Sequence, residues 1–152
     1  MTMNRSKRRR LGALTLAAGI LASSATSAQA TTWEVDYATY DLEQMNPSCI
    51  GEISRSNAYG WGCFVRSGDK LWIEDDSADS RRVAIHWKLS DGSRAGMCVN
   101  TLGYPQEASC DKNFPEALNI SIRVGRCDGS ASSCTLASQY TNWTTWITGS
   151  VS

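Results

Sequence analysis

The chain has 152 residues, with fifteen basic and fifteen acidic side chains, six cysteines, six tryptophans and one histidine. That length holds one domain beside a leader, and no cationic excess speaks for nucleic acid, whose phosphates need clustered Lys and Arg contacts. With no CxxC pair and a single histidine, the cysteine spacing does not point to a structural zinc site.

In chain order, Arg5, Lys7, Arg8, Arg9 and Arg10 precede an apolar run from Leu11 to Ala22, and Ala28-Gln29-Ala30 follows as a small-x-small cleavage signal. This pattern predicts a secretory signal peptide over residues 1–30. The apolar run falls well short of the ~20 residues that span a bilayer as a helix, so no membrane span is expected. Residues 31–152 then form a single secreted, extracellular domain. Five of the fifteen basic residues leave with the leader and no acidic ones do, so ten basic face fifteen acidic, a net charge of −5.

Alternation of apolar and polar residues with period 2 marks half-buried strands. In "TTWEVDYATY" (residues 31–40) Trp33, Val35 and Tyr37 share one face. "GWGCFVR" and "DKLWIE" are short strands split by Ser67-Gly68-Asp69. "RRVAIHWKL" sets Val83, Ile85, Trp87 and Leu89 against Arg82, Ala84, His86 and Lys88. Asp91-Gly92 is a hairpin cue before the brief strand "MCVNT". One helical turn is expected within "QEASCDKNFPEAL" (residues 106–118). "ALNISIRVG" places Leu118, Ile120, Ile122 and Val124 on one face, Asp128-Gly129 marks a turn, and "YTNWTTWITG" is rich in strand-forming Thr and Trp. About seven or eight short strands with frequent turns predict an all-β fold, a small antiparallel sandwich stapled by disulfides.

Cys49, Cys63, Cys98, Cys110, Cys127 and Cys134 all follow the leader. An even count in an exported chain predicts three disulfides, and six cysteines allow fifteen pairings. Local pairing is the simplest: Cys127 with Cys134, Cys98 with Cys110, and Cys49 with Cys63.

Glu74, Asp75, Asp76 and Asp79 make an acidic turn. A calcium loop of the EF-hand type needs Gly at its sixth position and Glu at its twelfth. Counted from Asp75, Ser80 and His86 stand there, so that pattern fails. The preferred reading is a solvated turn in which Asp79 hydrogen-bonds the backbone just ahead of it. His86 lies on the polar face of its strand and reads as a surface residue. No GxSxG motif and no free thiol supply it with a nucleophile, so no catalytic residue, metal or cofactor is assigned. Trp87 is expected in the core. Trp72, out of phase with Leu71 and Ile73, is expected to face outward. Trp143 and Trp146, three apart, should fall on opposite faces of a strand, with one exposed. Exposed aromatics serve sugar stacking or protein hot spots, and Trp33, Tyr37, Tyr40, Trp72, Trp143 and Trp146 are the binding candidates. The N-terminal segment 31–40 has two open readings, a partner-contacting arm or an edge strand that completes the sandwich.

Gly62-Cys63-Phe64, Gly68-Asp69, Asp76 to Asp79 after Asp75, Trp87, Cys98 to Asn100 and Cys110 to Phe114 together resemble a group of small exported actinobacterial proteins. The likeness covers residues 60 to about 126. Some of that group are similar to the small B subunit of umbrella toxin particles, a non-catalytic adaptor joining a lectin subunit to a toxin-bearing stalk. The group often has Gly where Ser80 stands. The resemblance implies a secreted, non-enzymatic adaptor with larger secreted partners. A carbohydrate-binding module is the alternative, and a small protease inhibitor or hydrolase the third.

Overall fold

The computed structural model describes residues 30–41 and 53–152, with the backbone alone at 53–55 and 131. Residues 1–29 of the expected leader (residues 1–30) and Cys49 lie outside the described residues. Two sheets pack face to face as a sandwich. The first has strands β1 (Thr32–Tyr37), β6 (Arg82–Leu89), β7 (Arg94–Val99), β9 (Asn119–Cys127), β10 (Tyr140–Thr141) and β11 (Ile147–Ser150). Its order is β1-β7-β6-β9-β10, with β11 also on β9. The second runs β2-β8-β5-β4-β3, from β2 (Thr39–Tyr40), β3 (Ile53–Asn57), β4 (Gly60–Val65), β5 (Lys70–Asp75) and β8 (Glu107–Asp111).

The core follows the alternation. Val83, Ile85, Trp87 and Leu89 of β6 and Ile120, Ile122 and Val124 of β9 meet Phe64, Leu71, Ile73 and Ala108 of the other sheet. Gly62 keeps the sheets close, since a Cβ there would sit 2.7 Å from Ile85 Cγ1 and 2.9 Å from Val124 Cγ2. The Cys98–Cys110 disulfide ties β7 to β8 and so bolts one sheet to the other, and Cys127–Cys134 closes the loop after β9. Both match the local pairings expected. Cys63 is also disulfide-bonded. No described cysteine is free.

Turn chemistry fits as well. Asp91 Oδ1 accepts from the Ser93 N–H at the β6–β7 hairpin, where Gly92 has φ 72°. Ser80 has φ 61°, a left-handed conformation that costs a residue with a Cβ and suits glycine.

Four expectations need correction. Residues Glu107–Asp111 form strand β8 rather than a helical turn, because Ala108 and Cys110 alternate inward against Ile73 and Leu71. The sandwich is not wholly antiparallel, since β1 runs parallel to β7 through six residue pairs. Trp72 does point away from Leu71 and Ile73, but it is only 5% exposed, packed with Cys63, Trp61 and Val65. Trp143 lies outside any strand, between β10 and β11. Trp146 lies there too, so the two tryptophans are not split between opposite faces of one strand.

The N-terminal segment is the edge strand of both sheets. β1 closes the first sheet, Ala38 is buried between the two, and β2 pairs with β8 of the second. Glu34 takes a two-pronged contact from Arg94, with Nε to Oε1 at 2.6 Å and Nη2 to Oε2 at 3.1 Å. Lys112, its side chain 4% exposed, reaches Glu34 and Asp36 and lies 4.8 Å above the Trp87 ring. Arg94 is the largest cause holding the Glu34 carboxyl below the usual carboxylate range.

Candidate functional site

The outer face of the first sheet carries the site. Antiparallel pairing sets His86 of β6 directly opposite Arg123 of β9 and Met97 of β7. Directly opposed residues share a face. Trp33 reaches the same face from β1, with its ring 5.4 Å from the His86 ring. The segment between β10 and β11 runs beside β9, fastened by Thr144 N–H to Val124 O at 2.9 Å and Val124 N–H to Thr144 Oγ1 at 3.0 Å. From there the Trp143 and Trp146 rings reach to 5.8 and 4.8 Å from His86. Gly125 makes room, because a Cβ there would lie 2.3 Å from Trp143 Cε3.

Two cations sit among these rings. The Arg123 guanidinium lies 4.2 Å from the Trp143 centroid and 4.6 Å from that of Trp146. Lys88 Nζ lies 4.5 Å from the Trp146 centroid. Arg123 also donates from Nε (3.2 Å) and Nη2 (3.1 Å) to His86 Nδ1. His86 is therefore not the surface residue its strand phase predicts. Its neighbours enclose it by half, and burial first, then the Arg123 and Lys88 charges, lower its pKa to about 4. With Nδ1 accepting from Arg123, the neutral ring carries its proton on Nε2.

Of the residues singled out from sequence, the structure joins Trp33, Trp143 and Trp146 in one cluster and leaves Trp72 buried on the far sheet. Tyr37 and Tyr40 are exposed, on β1 and β2, and Trp33 is 39% exposed, with its Nε1–H donated to Thr135 O. Arg123 and Lys88 were not singled out as binding residues. The signal for them was present, since each stands on the polar face of an alternating strand, but only the pairing of β6 with β9 brings those faces together.

The acidic turn divides. Asp79 behaves as expected, with Oδ1 accepting from the Arg81 N–H two residues on and Oδ2 from Arg126 Nη1 at 2.8 Å. Asp75 is not solvated. It is 1% exposed, accepts from the Ser77 N–H, and burial raises its pKa. Glu74 lies opposite Glu107 on the outer face of the second sheet. Burial, then the neighbouring Asp76 and Glu107 charges, push its carboxyl up to about 7.

Glu74 and His86 impose opposite pH dependences on stability. The folded state keeps the Glu74 proton up to about pH 7, above the usual 4.5, so its contribution is fully present at low pH and fades as pH rises through that window. His86 resists protonation down to about pH 4, below the usual 6.5, so its contribution is present above that value and fades as pH falls toward 4. The two slopes offset each other in the native chain. Relative to it, Glu74→Gln should show a melting temperature that climbs more steeply with pH across this range, and His86→Gln one that declines. Thermal melts over a pH series check both signs, and profiles parallel to the parent in both variants would refute them.

Compared with protein-family models, curated proteins and solved structures, the chain matches none.

Proposed function

We propose that this protein is a secreted, non-enzymatic adaptor that binds larger secreted proteins through the tryptophan-lined outer face of its six-stranded sheet. The observation that carries the reading is the half-exposed assembly of Trp33, Trp146, Lys88 and Arg123 around His86. Trp, Tyr and Arg dominate the hot spots of protein interfaces. The pattern over residues 60–126 that resembles the adaptor subunit of umbrella toxin particles supports the same role, with a lectin subunit and a toxin-bearing stalk as the partner class.

Two features weigh against the other readings. Sugar stacking needs an open aromatic face, whereas Arg123 lies against the rings of both Trp143 and Trp146, and Lys88 against that of Trp146 as well. A general base needs a free lone pair, whereas His86 Nδ1 is engaged by Arg123.

Tagged protein bearing residues 31–152 is the reagent for the test, incubated with culture supernatant of the encoding organism. The native protein should retain one or more secreted proteins in fixed stoichiometry, and Trp146→Ala should lose them while keeping its melting temperature. Retention on insoluble chitin or cellulose without protein partners would favour a carbohydrate-binding module instead.

A further inference from the structure

We propose that Arg123 and Lys88, walled by Trp33, Trp143 and Trp146, form a receptor for one carboxylate side chain of the protein partner, an Asp or Glu beside an apolar residue. This deepens the adaptor reading and rests on it.

The first ground is charge left unmatched. Among the described residues, Glu34 pairs with Arg94 and Lys112, Asp36 with Lys112, Asp41 with Lys70, Asp79 with Arg81 and Arg126, and Asp128 with Arg81. Among the described residues no carboxylate pairs with Arg123 or Lys88. Both cations nevertheless stand on a domain that carries a net charge of −5 once the leader is removed.

The second ground is unspent hydrogen-bonding capacity. A guanidinium has five N–H donors. Arg123 directs Nε and Nη2 at a single acceptor, His86 Nδ1. The Trp143 and Trp146 rings lie 4.2 and 4.6 Å from the guanidinium carbon and accept none of its N–H bonds, so its remaining donors are left for another acceptor. His86 acts here as a positioning residue, because its neutral ring orients Arg123 without cancelling the charge. The surrounding indoles thin the water around the pair, which strengthens a charge-assisted bond.

The third ground is selectivity. Two cations suit one carboxylate. A polyanion such as nucleic acid would meet the acidic remainder of the domain and find too few contacts. The Trp33 ring, 39% exposed, is an apolar wall that suits a hydrophobic residue next to the acid.

Two capped dipeptides, acetyl-Leu-Asp-amide and acetyl-Leu-Asn-amide, differ in charge and hardly in shape. Titrated into the protein and followed by the NMR signals of the tryptophan indole N–H groups and Arg123 Nε–H, the Asp peptide should bind about tenfold more tightly than the Asn peptide. That preference should shrink at high salt, disappear in Arg123→Gln and fall several-fold in Lys88→Gln, with the remaining spectrum unchanged. Equal binding of the two peptides, or no saturable shift, overturns the receptor. Sulfate binding at the same signals as tightly as the Asp peptide also overturns it, in favour of a free-anion site. The two proposals fail separately. Loss of the Asp preference with partner capture still dependent on Trp146 would remove the receptor alone. The preference without any captured partner would remove the adaptor.

Discussion

A chain that lacks residues 31–40 is expected to lose cooperative folding. The segment supplies β1, which pairs with β7 along its length, and most of the bridge to the second sheet through Ala38 and β2. Its removal bares the β7 and β8 edges and one end of the core. It also strips both carboxylates from Lys112, whose ammonium is almost wholly enclosed. These losses fall on a domain whose whole stability is roughly 5–15 kcal/mol. Circular dichroism of the truncated chain should show no sigmoidal thermal transition. A transition within a few degrees of the parent would mean that the segment is a detachable arm. The same packing narrows the functional reading, because an edge strand shared by two sheets contributes side chains such as Trp33 to a surface but is not free to leave it.

The second large effect is expected from one methyl group. Gly125→Ala places a Cβ 2.3–2.7 Å from three atoms of the Trp143 ring, nearer than packed carbon atoms tolerate. Strand β9 is held on both sides by its neighbours, so the indole must move rather than the backbone. Its displacement takes the ring away from Arg123 and breaks the Tyr140–Trp143 contact at 5.3 Å. Overpacking of this kind costs about 1–3 kcal/mol. Urea denaturation should report that loss, and near-ultraviolet circular dichroism should report a changed tryptophan environment. In the background of Trp143→Ala the same Gly125→Ala change should cost far less, because the clashing ring is gone, and the difference between the two backgrounds isolates the steric coupling. Equal costs in both backgrounds would show that the ring does not set the effect.

These two expectations separate what could be read locally from what could not. The inward faces of β6 and β9 were legible residue by residue, because a strand's period of 2 leaves Val83, Ile85, Trp87 and Leu89 no choice but to share a face. The Asp91-Gly92 hairpin was legible for a similar reason, while the Cys98–Cys110 and Cys127–Cys134 bonds match the simplest of fifteen pairings among which the sequence alone did not decide. Strand β8 was misread as a helical turn because its alternation is short and interrupted by small residues. Its pairing with β5, not its own propensity, makes it a strand.

The site belongs to the other category. Trp33, His86, Arg123 and Trp146 are dozens of residues apart, and each looks ordinary in its own segment. The phase of β6 showed that His86 lies on the polar face, but polarity of a face does not decide whether that face meets water. Register between β6 and β9 placed Arg123 across from it, and residues 142–146, running beside β9, set two indole rings against it. Trp72 shows the converse: its phase was read correctly, yet Trp61, Val65 and Cys63 pack against it. Where the alternation was long enough to read, as in β6 and β9, sequence alone thus determined which side of the strand a residue occupies, because backbone geometry repeats every two residues. Only the tertiary structure decided which of those sides stayed open, because exposure depends on which distant segments pack there, and contacts between distant segments leave no periodic trace in the chain.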